Sequence, residues 1–184
     1  MYSRPKQDFF PGRILFTQDD ASAVDWLRKL GVTRSVFESQ QNDLSKQFGG
    51  MAKASDVVWK IMNESVTHSK DRNELKLIYS QMAQFLYEEG KNYFHVAQEV
   101  KKLEFAHWQE AADQGLIEWK RTRLKIITCG PASCGECRKL DRAIFTLGQA
   151  LEHMPLPVRT CSHEPVKPGA PGWCRCSYRL VIER

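Results

Sequence analysis

The chain has 184 residues, of which 42% are apolar and 27% charged, a balance that excludes wholesale disorder and fits one domain, or one helical body with a small appendage. A chain of this length buries roughly two thirds of its unfolded surface, so folding need not wait on a partner. The formal charge of +5 is unevenly spread, with 4 basic and 8 acidic residues in 73–119 but 12 basic and 5 acidic in 120–184, so the last third can attract phosphate backbones, form a solvated face or complement the acidic middle.

Residues 1–13 read as an irregular arm containing Pro5, Pro11 and Gly12. Arg13–Thr17 reads as a short strand or the lead-in to a helix. Asp19, Asp20 and Ser22 offer N-cap chemistry before AVDWLRKLGV, in which Val24, Leu27 and Leu30 form an apolar side and Gly31 is a stop. The stretch TRSVFESQQNDLSKQFGG has helical spacing at Val36, Leu44 and Phe48 and ends at Gly49 and Gly50. Ser55 and Asp56 precede a third helix, VVWKIMNESV, supported by Val58, Ile61 and Met62 at positions i, i+3 and i+4. SVTHSKD reads as a linker.

From Asn73 to Leu103 apolar residues recur every three, four and seven positions, which predicts one amphipathic helix or two in line, with Gly90 as the candidate break. Phe105, Trp108 and Trp119 continue an aromatic series, read as core or partner packing in preference to a cofactor box. Arg121–Ile126 then alternates with period two, the pattern of a half-buried strand with a basic solvent side. The change of texture places a boundary near residues 118–120. The expected fold class is therefore α+β: a mostly helical domain over 1–119, then a basic, Cys-rich, β-rich module over 120–184.

All six cysteines lie in the 48 residues from Cys129 to Cys176. Cys134-x2-Cys137 is half of a metal arrangement, in which a tight turn aims two thiolates at one ion. Cys161, Cys174 and Cys176 follow 24 to 39 residues after Cys137, a gap across which a small site takes its other ligands. Tetrahedral sulfur and nitrogen coordination suits zinc. The expected set is Cys134, Cys137, Cys161 and Cys176, with Cys174 or His163 as substitutes. Cys176 is preferred because Cys-x-Cys on a strand points its two side chains apart. Cys129, beyond Gly130-Pro131, is expected to be a buried small side chain. A closed shell of four protein ligands is structural, one zinc per chain, and supplies folding energy to a module whose own core would be marginal. Neither HExxH nor the HxE…PCxxC deaminase pattern occurs.

Between the two halves, Ile144, Phe145 and Leu147 are expected to form a short strand. Gly148–Met154 reads as a short helix closed by Pro155, with His153 a capping or surface residue. Tyr178, Leu180 and Ile182 alternate with polar neighbours and predict a terminal strand next to the metal.

The pattern CxxC…LD…F…AL…PLP…C…CRCSYR over residues 126–180 resembles the Cys-rich C-terminal module of phage minor head, or head-morphogenesis, proteins. In that module a Leu-Asp-Gly turn follows the first Cys pair and Pro-x-His precedes CRC. Here Arg142 occupies the glycine position, and Cys161, with His163 nearby, the histidine position. The resemblance implies Cys134, Cys137, Cys161 and Cys176 as ligands, and a protein that binds portal or DNA during capsid assembly.

The leading functional reading is a non-enzymatic binding protein whose partner is nucleic acid or a protein assembly. Lys120, Arg121, Arg123, Lys125, Arg138, Lys139, Arg175 and Arg179 are the candidate phosphate contacts. A metal-dependent nuclease or hydrolase using Asp141, Glu152, His153 and His163 is the alternative. A thioredoxin-like use of Cys134 and Cys137 would require a βαβ context. The start of the chain lacks the apolar run of a secretory signal, so a cytoplasmic location with no membrane partner is expected.

Overall fold

The computed structural model describes residues 27–130, 133–162 and 174–183. The expected strand at Arg13–Thr17, the N-cap candidates Asp19, Asp20 and Ser22, and His163 lie outside those residues. The chain divides into two compact units, Met1–Tyr93 and Phe94–Arg184.

Among the described residues, the first unit follows a helical end at residues 27–28 with α1 (Arg34–Phe48), α2 (Ala54–His68) and α3 (Arg72–Glu88), α1 packed on α2 and α2 on α3. Thr33 caps α1 through its side chain, and Gly49 closes it at φ 66°, a left-handed conformation that glycine adopts without steric cost. The buried residues of α1 are Phe37 and Leu44, seven apart on one stripe. Val36 and Phe48, expected on the apolar side, are instead 44% and 63% exposed. Val36 is turned about 100° away from Phe37 by the helix geometry, and Phe48 is the last residue of its helix.

Helix α2 buries Val57, Val58, Ile61 and Met62. Its N-cap is Lys53, without a side-chain bond, so Ser55 and Asp56 lie inside the first turn. It runs to His68 and absorbs half of the expected linker. Asp71 then caps α3 by accepting the Glu74 N–H at 2.8 Å. Trp59 stacks on Phe85 with ring centroids 6.3 Å apart. The long periodic stretch is two helices: α3 ends at Glu88, and Gly90 takes φ 67°, so the glycine is the break the pattern allowed.

Among the described residues, the second unit contains α4 (Phe94–Asp113), a 3-10 turn (Trp119–Arg121), β1 (Thr122–Ile127), α5 (Gly135–Lys139), β2 (Ile144–Phe145), α6 (Leu147–His153) and β3 (Ser177–Ile182). The strands form an antiparallel sheet in the order β2-β1-β3. Thr122, Leu124 and Ile126 of β1 are buried while Arg123, Lys125 and Ile127 are half-exposed, as the period-two pattern requires. Expected strand residue Leu147 instead opens α6, because Thr146 forms a capping box with Gln149 and starts the helix there. His153 is exposed in the last turn of α6.

The fold is α+β, a helical body followed by a small β-rich module. The change of texture at 118–120 does not coincide with the division between the units. Phe105 of α4 is 1% exposed in the same core as Leu124, Ile126, Leu147, Leu156 and Tyr178, with Trp108 packed against it. The rings of Phe105 and Trp108 lie 5.1 and 6.3 Å from that of Tyr178. This aromatic contact joins α4 to β3, so α4 belongs with the cysteine-bearing unit. The series Phe105–Trp108 is core packing, as expected, while Trp119 is 37% exposed.

Candidate metal centre

The first cysteine pair is built by a turn and one short helix. Cys134 is the N-cap of α5, and its Sγ accepts the Cys137 N–H at 3.4 Å. Cys137 lies within α5 and is 2% exposed. The hydroxyl of Thr128, just beyond β1, donates to Asp141 at 2.8 Å, and the Arg142 N–H donates to the Ile126 carbonyl at 3.1 Å. These two bonds fix the α5 turn to the end of β1. Arg142 has φ 62°, the left-handed region that favours glycine.

Cys161 is delivered by the segment after α6. There the buried Leu156 N–H donates to the Tyr178 hydroxyl at 3.1 Å, and the Cys161 N–H donates to the Val158 carbonyl at 3.1 Å. Cys174 and Cys176 lead directly into β3 and are both buried.

Five sulfurs meet as a result. Cys134, Cys137 and Cys161 form one group, and Cys137, Cys174 and Cys176 a second, the ligand atoms of each lying within 4.8 Å of one another. Cys137 is common to both. The Sγ of Cys161 is 3.6 Å from those of Cys134 and Cys137, and Cys137 Sγ is 3.7 Å from Cys174 Sγ. None of the described cysteines is in a disulfide. A cluster of thiols this close can hold a metal ion.

The expectation that Cys174 and Cys176 would point apart does not hold. Residues 174–176 precede β3 and are not strand, so the alternation of a pleated segment does not apply and both sulfurs face Cys137. Cys129, expected to be buried, is half-buried and belongs to neither group. Cys134, Cys137, Cys161 and Cys176 are thus all brought together, with Cys174 among them, and His163 lies outside the described residues.

The thiols are electrostatically unequal. Burial raises the Cys134 thiol, but the backbone amides of Cys137 and Ser162 and the neighbouring thiols favour its thiolate more, and the net result is a fall to about 7. Burial and the charge on Cys174 push Cys137 up to about 12. Hydrogen bonds from Cys161 and Cys176 hold Cys174 far below the ordinary thiol range. Contact with Cys174, then burial, pushes Cys176 well above it. Like charges at this spacing cannot all ionise together without a cation, and a coordinated cation deprotonates its thiols outright. Arg175, between Cys174 and Cys176, has a buried Nε without a hydrogen-bond partner.

Among the described residues, no group of three metal-ligating side chains other than these two is present. Of the hydrolase candidates, Asp141 is bonded to Thr128, Glu152 and His153 are exposed, and the three form no such group, while His163 lies outside the described residues. Among the described residues the sheet is antiparallel throughout and offers no βαβ context of the kind a thioredoxin-like CxxC requires.

The candidate phosphate contacts are dispersed over several elements. Arg123, Lys125 and Arg179 share the face of the sheet opposite the core. Lys125 stands directly across from Arg179 in the β1–β3 register and from Ile144 in the β1–β2 register. Arg123 pairs with Glu183 at 2.7 Å. Lys120 and Arg121 precede β1, and Arg121 pairs with Glu118 at 3.3 Å. On α5, Lys139 pairs with Glu136 at 2.7 Å and Arg138 donates to the Ser133 carbonyl at 2.8 Å. The signal that sequence reading missed is the Lys125–Arg179 pairing, which depends on strand register. No described helix is long and apolar enough to cross a membrane.

Compared with models of protein families, with curated proteins and with solved structures, the chain matches none.

Proposed function

We propose that this chain is a non-enzymatic binding protein whose C-terminal unit is held together by one structural zinc ion and whose basic sheet face receives the phosphate backbone of a nucleic acid. The observation that carries the first half is the sulfur spacing. A zinc–sulfur bond of about 2.3 Å puts the corners of a tetrahedral thiolate site about 3.8 Å apart, and three sulfur pairs here are separated by 3.6, 3.6 and 3.7 Å. Cys134, Cys137 and Cys161 supply three ligands, and the Cys174–Cys176 segment the fourth. A four-thiolate shell has no open position for a water nucleophile, which favours a structural ion over a catalytic one.

The second half rests on charge. Like charges directly opposite on neighbouring strands are unfavourable, and Lys125 faces Arg179. An anion lying across them relieves the repulsion. Phosphate contacts of this kind position a nucleic acid without reading its sequence. The resemblance to phage head-morphogenesis proteins directs this reading towards capsid assembly, with DNA or the portal as the partner to test. The left-handed backbone of Arg142, at the position where that module carries glycine, supports the resemblance.

Native mass spectrometry of the purified chain tests the ion: one zinc per chain is expected, and a folded, metal-free chain or paired sulfurs refutes it. Fluorescence anisotropy with a DNA duplex over a salt series tests the surface. Three face cations imply a slope of log affinity on log salt of roughly −3 at most, and Arg179→Glu should reduce its magnitude by at least about 1. Binding indifferent to salt, or to Arg179→Glu and Lys125→Glu together, overturns the nucleic-acid reading and leaves a protein assembly as partner.

A further inference from the structure

We infer that Cys174 and Cys176 are alternative donors for a single coordination position, so that the metal site carries a thiol in reserve. The inference rests on the zinc reading above. A tetrahedral ion bound by Cys134, Cys137 and Cys161 has one position left, and two sulfurs stand ready for it. Both are buried, at 4% and 3% exposure. Both lie within 4.8 Å of Cys137 Sγ and of each other. They flank one residue of non-strand backbone just before β3, so exchanging one for the other requires a rotation about local torsions and leaves the register of β3 intact. The other three positions have no such reserve among the described residues: Cys129 joins neither group.

Two properties follow for a thiophilic, tetrahedral divalent ion. The ion stays four-coordinate while the last ligand exchanges, because the incoming sulfur lies within 4.8 Å of the one it replaces and of Cys137 Sγ. The site also survives loss of either Cys174 or Cys176, but of no other ligand.

The test uses the full-length chain with zinc, and with Co2+ as the spectroscopic probe, in Cys174→Ser, Cys176→Ser, the double variant and Cys134→Ser. Alanine versions run in parallel, since a serine hydroxyl can itself ligate weakly. Affinity is read by chelator competition, bound sulfurs by the thiolate-to-cobalt charge-transfer band, and folding by circular dichroism. Each single variant at 174 or 176 is expected to keep one ion per chain, the full charge-transfer intensity, and an affinity within about tenfold of the parent. Loss of a mere outer-shell partner typically costs about 10–100-fold, so Cys134→Ser and the double variant should weaken binding by on the order of a hundredfold or more. A single variant at 174 or 176 that behaves like the double overturns the inference while leaving the zinc reading in place. A parent chain that takes up no ion overturns both.

Discussion

The substitution Tyr178→Phe isolates one hydrogen bond on which the cysteine-bearing unit depends. Tyr178 is 8% exposed, and its ring packs on Phe105 and Trp108. Its hydroxyl accepts the N–H of Leu156, a residue with no exposed surface. Burial pushes the phenol upward, so the group being removed is a neutral hydroxyl at any ordinary pH. Phenylalanine keeps the ring and its apolar contacts, so the burial of the side chain nearly cancels between the two proteins. What remains is a buried N–H without an acceptor, which costs about 1–3 kcal/mol. At about 1.4 kcal/mol per factor of ten, local opening at Leu156 should become roughly 10-fold or more easier. In urea, with a dependence of about 1–3 kcal/mol per molar, the unfolding midpoint of the protein should fall by roughly 1 M. Amide hydrogen exchange at Leu156 gives the local value and urea titration the global one. Leu156 leads to Cys161, so the affinity of the proposed metal site should fall together with stability, since binding and folding of such a site are one equilibrium. An unchanged midpoint with unchanged protection at Leu156 would refute the reasoning, because the amide would then have another partner.

Three further outcomes are expected. Truncating Phe105→Ala removes a ring that is 1% exposed and should cost about 3–5 kcal/mol of the C-terminal unit's stability, measured by denaturant unfolding; a loss under ~1 kcal/mol would mean that α4 does not belong to that core. Replacing Arg142→Gly relieves a left-handed backbone at φ 62°, worth roughly 1–2 kcal/mol, against a glycine entropy cost of roughly 0.5–1 kcal/mol, so a small gain in melting temperature is expected and a drop would contradict the backbone argument. Chelation of the proposed ion, or Cys137→Ser, should release the metal and abolish the near-ultraviolet signal of the Phe105–Trp108–Tyr178 cluster while α1–α3 keep their far-ultraviolet helicity; retention of the aromatic signal would show that the sulfurs are not what holds this unit.

How much of this protein could be read before its tertiary structure was in hand depends on the range over which each feature is set. The α1–α3 segments, the break at Gly90, the strand at Thr122–Ile127 and the gathering of cysteines towards one site all follow from local patterns. Periodicity, turn residues and ligand spacing act within a few residues of themselves, so the string alone carries them. The texture change at 118–120 is equally local, and it marks where a helix gives way to a strand. It says nothing of what packs on what: α4 stays with the later unit because Phe105 and Trp108 meet Tyr178, some seventy residues away along the chain. The same holds for the choice of Phe37 over Val36 at a packed face, for the register that sets Lys125 against Arg179, and for the meeting of Cys174 and Cys176 with Cys137. Side-chain chemistry and spacing determined that sulfur would gather; only the folded backbone, through contacts between distant segments, decided which sulfurs meet and what covers them.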